Sequence, residues 1–535
     1  MTWTDGAAVQ RPAAFALCLL IHRRYFSQAF MSDANSSELS PAHLEELKGS
    51  RLFNPDLAPV PRTQRTWNWW SIASLWIGMA ICITTYTLAS SLIEQGMNWK
   101  EAILTIFLGN VIVLIPMTLN AHPGTAFGIP FPVLARASFG TLGSNVPALM
   151  RALVACGWFG IQIWVGGAAL YAAAAMLFGF DPAAKSNLPI LGISGGELIC
   201  FLIFWALNIA IILKGMECIK WLELLSAPFL LVIGVGMLVW AHRAAKGWGP
   251  ILAQPHKFKT SAEFWHVFGA GLTAMVGYWA TLSLNIPDFS RFARSQRDQA
   301  IGQALGLPLT MTIYSFIGVA VTSATIVVFG APIWDPVALM AKFNNPGLVI
   351  LALVTLAVAT LSTNIAANVV SPANDFSNLW PRGISFKTGG LITGVLGIVM
   401  CPWKLYADPS GYIFTWLIGY SALLGPIGGI MIADYFLWRK RRLSVTDLYK
   451  SHGQYTYTAG FSWVGLAALL VAILPNLPGF LAAVNALDKA RVASLFLILY
   501  NYAWFVGFGI AFVVYLLLRR LSGSGKTASM KPEAA

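Results

Sequence analysis

The sequence predicts an all-α integral membrane protein with twelve transmembrane helices. Three observations carry that expectation. Of the 535 residues, 57% are hydrophobic and only 11% charged, against about a quarter charged in soluble chains. The charges lie between long apolar runs, many of which reach about 20 residues, enough for a helix to cross the hydrocarbon core. The runs are also continuous rather than alternating, which excludes a β-barrel.

In chain order, spans are expected at about 69–92, 101–121, 145–178, 195–213, 220–241, 264–287, 305–330, 346–371, 386–404, 411–437, 459–476 and 492–518. Between the second and third lies "GIPFPVLARASFGTLGS", rich in Gly and Pro. It is expected as a short re-entrant or interfacial segment on the side of Arg136. The first 30 residues contain "FALCLLIH", too short to span, and no small-residue cleavage site follows it. They are expected to be an over-extended start or a disordered tail.

The net charge of +13 fits membrane orientation better than nucleic-acid binding, because the basic residues sit in short loops. With Arg62 and Arg65 placed in the cytoplasm, the same side collects Lys214, Lys220, Arg291, Arg294, Arg297, Arg382 and Lys387. It also collects "WRKRRLSVTDLYK", Arg519 and Arg520. One opposing loop carries Arg243, Lys246, Lys257 and Lys259. Both termini are expected in the cytoplasm, at an inner or plasma membrane.

Spans one to five and six to ten cover similar lengths, and an odd number of spans per unit inverts the second copy. The expected division is a cytoplasmic segment 1–65, a first repeat 66–241 and a second repeat 242–440. Two further spans occupy 441–520, and a tail runs over 521–535. Span one carries Gly78, Thr84, Thr85 and Thr87 at mid-depth; span six carries Gly277, Thr281, Ser283, Asn285 and Pro287. Both are places for a helix to break and free its backbone for a ligand. Ordinary small-residue packing is the alternative.

Gln162 raises the question of chemistry, since an amide in lipid needs partners that water cannot supply. Trp158 is one turn away on the same face. Span six adds Trp279, and span eight adds "ATLSTNIAANVVSPAND" with Thr363 and Asn368. Two indoles and two carboxamides suit a planar heterocycle with alternating N–H and C=O edges. Ser362 and Thr363 could ligate a hard monovalent cation, or bond back to carbonyls one turn earlier. No HExxH, paired intramembrane Asp, CxxC or GxxxxGK[ST] occurs, so neither a metalloenzyme nor an ATP-driven pump is indicated.

Long stretches then resemble the nucleobase–cation symporter-1 family, and within it the bacterial hydantoin, allantoin and uracil permeases. The stretches are "NPDLAPVPRTQRTWNWWSIASLWIGMAI", "GIPFPVLARASFGTLGS", "ACGWFGIQIWVGG", "VGYWATLSLNIPDFSRFA", "LSTNIAANVVSPANDFSNLWP" and "GPIGGIMIADYFLWRKRRLSVTDLY". The resemblance implies a leucine-transporter-type 5+5 inverted repeat with two extra helices, working by alternating access. It implies a cargo stacked between Trp158 and Trp279, its edges read by Gln162 and Asn368. It further implies a cation site, for Na⁺ if the coupling is to sodium, from the carbonyls of Gly78, Ile81 and Ala359 and the hydroxyls of Ser362 and Thr363. Two positions depart from the hydantoin-type pattern: Cys82 replaces a pocket glutamine, and Tyr278 replaces a glycine.

The expected function is import of a nucleobase or related heterocycle of the uracil, allantoin or hydantoin class, in symport with Na⁺ or H⁺. The expected partners are that cargo and the lipid bilayer, with no nucleic acid, no cofactor beyond the ion, and a functional monomer. Alternatives are a cytosine, purine or thiamine permease of the same family, or a non-transporting sensor. Asp288 is expected to pair with Arg291 or Arg294, with a proton-carrying role as the alternative.

Overall fold

The computed structural model describes residues 45, 47–182, 186–214, 216–340, 342–343, 346–407 and 411–522, and their regular elements are all helical. The expectations for residues 1–30 and for the 521–535 tail beyond Ser522 lie outside them.

Each expected span coincides with a helix or a broken helix. Span one is α1 (Trp69–Ala80) and α2 (Ile83–Glu94), bent by 59° at their junction. Then follow α3 (Trp99–Phe127), α4 (Phe131–Phe139), α5 (Asn145–Phe178), α6 (Gly195–Lys214) and α7 (Met216–Ala244). Span six falls into α8 (Ser261–Tyr278), α9 (Ala280–Asn285) and α10 (Pro287–Ser290). After α11 (Gln296–Phe329), span eight divides into α12 (Pro346–Asn368) and α13 (Val370–Leu379). α14 (Phe386–Val399), α15 (Ile418–Ile432), α16 (Trp463–Ile473), α17 (Ser494–Asn501) and α18 (Ala503–Leu521) complete the bundle. Among the described residues eight helices are individually long and apolar enough to cross a membrane, or nine with the bent pair. The count of twelve is not reached by that measure, because span six is interrupted, α14 is short and only Leu230–Ala244 of α7 is scored.

The breaks have local causes. In a continuous helix the Cys82 and Thr85 amides would bond to Gly78 and Ile81. Here Cys82 N donates to the Ala80 carbonyl (3.0 Å) and Thr85 N to that of Cys82 (3.2 Å). The Gly78 and Ile81 carbonyls lose those partners. In span six Pro287 has no N–H for the Ser283 carbonyl, and Asn120 Nδ2 on α3 supplies it instead at 2.8 Å. Pro372 likewise leaves the Asn368 carbonyl without its helical donor, at the junction of α12 and α13.

α4 is not interfacial: all nine of its residues are buried. Arg136 is buried there because the protein satisfies it, with Asn378 Oδ1 accepting from Nη2 (2.7 Å) and the Leu448 carbonyl from Nη1 (2.9 Å). The segment before α1 forms a strap over the same end of the bundle. Val60 N donates to Gly128 O (2.9 Å), Trp67 N to Phe292 O (2.9 Å), Asn54 Nδ2 to Pro381 O (2.9 Å), and Tyr449 Oη to Leu57 O (2.7 Å).

Candidate functional site

α5 packs against α9, α12 and α15, and α1 packs against α11 and α12. Two breaks and the middle of span three therefore share one buried region. Trp158, Gln162, Trp279, Tyr278, Cys82 and Asn368 are all buried there. The Tyr278 ring bridges the two indoles, 5.1 Å from Trp158 and 4.9 Å from Trp279, edge-on to both. Trp76 of α1 meets Trp279 edge-on at 5.1 Å. The Nε1 of Trp279 is buried without a hydrogen-bond partner.

Asn368 belongs to a chain of amides. Its Nδ2 donates to Asn364 Oδ1 (3.0 Å), and Asn364 Nδ2 donates to Asn208 Oδ1 (3.2 Å) and to the Phe159 carbonyl (3.3 Å). One of the two Asn368 amide hydrogens is thus engaged, and the chain ties span eight to spans three and four.

Sequence reasoning missed the wall supplied by span ten. Tyr412, Trp416 and Tyr420 recur every four residues, so they share a helical face, and each ring lies 6.1–6.4 Å from Trp158. That period was the available signal. Tyr420 Oη also donates to the Gly277 carbonyl at 2.9 Å, beside the break in span six. Gly157 makes room for this wall, since a Cβ there would stand 2.2 Å from Trp416 Cη2. Gly157→Ala is expected to displace Trp416 and lower cargo affinity while leaving the protein folded. Unchanged uptake kinetics would count against this wall.

At the end remote from the strap, Trp334 lies 5.1 Å from Tyr406 and 6.5 Å from Tyr412. Beside it, burial pushes the Asp335 carboxyl up to about 6, partly offset by the Val337 amide it accepts from.

The proposed cation ligands cluster less completely. Gly78 and Ile81 present the carbonyls freed at the break, and a Cβ on Gly78 would meet no atom within 4 Å. The Thr363 hydroxyl donates to the Ala359 carbonyl at 3.2 Å, so two of the five groups engage each other, as the back-bonding alternative anticipated. The Ser362 side chain lies outside the described residues. Neutral carbonyl and hydroxyl oxygens are the donors a hard monovalent cation takes.

Asp288 differs from expectation. Its Oδ1 accepts the Phe131 amide at 2.8 Å, at the start of α4. Arg291 Nη1 donates to the Asp56 carbonyl (3.2 Å), and Arg294 pairs with Asp298 (3.6 Å). Of the two cations near it in sequence, Arg291 acts on Asp288 through its charge without a direct contact, as Arg151 of α5 also does. Deeper ionic contact comes from Arg151 of α5 and Asp375 of α13, 3.0 Å apart and with no side-chain exposure.

A family model described as permease for cytosine/purines, uracil, thiamine and allantoin matches residues 59–507. The chain belongs to this permease family. It is similar to the purine-uracil permease of Arabidopsis thaliana, with 44% identity over 509 residues, covering 94% of this chain and 84% of the relative. It is similar to the allantoin permease of Bacillus subtilis, with 41% identity over 475 residues, covering 89% of this chain and 94% of the relative. Among solved structures it resembles Mhp1, a nucleobase-cation-symport-1 family transporter, in a closed conformation with bromovinylhydantoin bound. The TM-score is 0.72 at 28% identity, over 89% of this chain and 96% of that one. This permease is therefore a multi-pass, all-α membrane transporter of the expected fold and not an enzyme.

Proposed function

We propose that this permease imports a planar heterocycle of the uracil, allantoin or hydantoin class by alternating access, in symport with Na⁺. Both termini lie in the cytoplasm, the protein sits in the inner or plasma membrane, and it works as a monomer. The observation that carries the reading is the aromatic chain from Trp158 through Tyr278 to Trp279, set against the break in span six. The free Trp279 Nε1 donates to a ring carbonyl. Gln162 and Asn368 each offer an acceptor and a donor to an imide or ureide edge. The names of the relatives, a purine-uracil permease and an allantoin permease, support that cargo class.

Na⁺ is held by the Gly78, Ile81 and Ala359 carbonyls with the Ser362 and Thr363 hydroxyls, the Thr363 hydroxyl turning from its bond to Ala359. Because the ion and the cargo order the same break, each raises the other's affinity by one factor. The testing experiment is tryptophan-fluorescence quenching by uracil, allantoin and hydantoin, with and without Na⁺. A Na⁺-dependent drop in Kd for one of them is the expected result. Quenching by none overturns the cargo class, and quenching indifferent to Na⁺ overturns the ion. Thr363→Ala is expected to weaken Na⁺ binding directly and cargo binding through it, so that cargo affinity at a fixed, subsaturating Na⁺ concentration falls and is recovered as Na⁺ is raised. Cargo affinity in Thr363→Ala that equals the wild type's at every Na⁺ concentration would refute the link.

A further inference from the structure

Tyr278 is anchored to the other broken span. Its Oη lies 2.7 Å from Thr84 Oγ1, 3.2 Å from Thr85 Oγ1 and 3.3 Å from Cys82 Sγ, all at the start of α2. A phenol hydroxyl has one hydrogen to give and two lone pairs. Three partners use all of them. Cys82 Sγ in turn lies 3.3 Å from both threonine hydroxyls. The Tyr278 hydroxyl is therefore engaged by its neighbours rather than offered to a cargo.

What Tyr278 does offer is shape. Its ring is held from the hydroxyl end by the break in span one and from the backbone end by the break in span six. It touches both indoles edge-on and is 6% exposed. To swing aside it would have to give up every one of its hydroxyl contacts at a buried position, where unpaired polar groups are expensive. It therefore behaves as a fixed partition.

We propose that Tyr278 is the specificity-determining wall of the pocket, so that the cargo is a bare planar ring with no arm on the edge that faces the first span. This rests on the reading that cargo sits between Trp158 and Trp279.

The test uses the full-length permease in proteoliposomes, with uracil and 5-benzyluracil as competing ligands. The wild type is expected to bind uracil and to reject 5-benzyluracil. Tyr278→Gly and Tyr278→Ala are expected to shift the ratio of the two inhibition constants by roughly tenfold or more toward the benzyl compound, as pocket enlargements commonly do. Tyr278→Phe keeps the ring but frees its far end, and is expected to shift that ratio by much less than Tyr278→Gly does. By loosening the anchor it raises the rate at which N-ethylmaleimide alkylates Cys82, read against Cys82→Ser. If the shortened variants still bind uracil with the wild-type ratio, the wall is refuted and the pocket stands. If Tyr278→Phe shifts the ratio as far as Tyr278→Gly, the hydroxyl and not the ring sets the limit, and the proposal fails. If Trp158→Ala binds uracil normally, the pocket assignment itself is at fault.

Discussion

Trp158→Ala is expected to abolish measurable uptake. On the proposed reading the indole gives the cargo one of its two flat surfaces, and stacking of a base on an aromatic side chain contributes about 1–3 kcal/mol. That range corresponds to roughly 5- to 150-fold in Kd. The side chain also touches Tyr278, Tyr412, Trp416 and Tyr420. Its removal leaves a cavity ringed by aromatics that no longer hold one another, so the measured loss should sit at or beyond the upper end. Trp158→Phe keeps a smaller face and is expected to recover part of the affinity. Equilibrium binding beside thermal unfolding in detergent separates the two contributions. A Trp158→Ala protein that melts normally and binds with wild-type Kd would remove the indole from the site.

The second large effect concerns Arg151 and Asp375. Neither side chain is exposed, and they pair at 3.0 Å between span three and the second half of span eight. Arg151→Ala strands a carboxylate away from water, which costs about 3–5 kcal/mol. Against an ordinary stability of about 5–15 kcal/mol that is a large share, and the melting temperature is expected to fall by several degrees or more. Asp375→Ala should do the same by stranding the guanidinium. The double replacement Arg151→Met with Asp375→Leu removes both charges, and it is expected to recover most of the melting temperature, because apolar pairs of similar volume often replace buried ion pairs without loss. Equal thermostability of the single variants and the wild type would show that the pair is not buried in solution.

Much of this was legible before any coordinates. Apolar run length gave the helices, since a bilayer imposes that length on them. The interruptions in spans one and six announced themselves through Gly78 and Pro287. In span eight Pro372 marks a weaker interruption: the missing N–H is four residues from the carbonyl it leaves exposed, so the boundary between α12 and α13 falls beside Asn368 and not at the proline. Trp158 and Gln162 could be paired because they are one turn apart. The Tyr412, Trp416 and Tyr420 face could not be assigned to Trp158, because helical spacing says which residues align but not which neighbour they meet. Asp288 shows the same limit. Arg291 and Arg294 are near in sequence, yet its partner is the Phe131 amide, 157 positions away.

The interrupted first span determines what an unloaded transporter contains. Carbonyl groups left open in the middle of a membrane cost several kcal/mol each if dry. With Gly78 and Ile81 turned away from their helical donors, vacuum is not an available state. On the proposed reading, each loading event is then an exchange in which ion and ring take over the carbonyls that solvent satisfies in an unladen molecule.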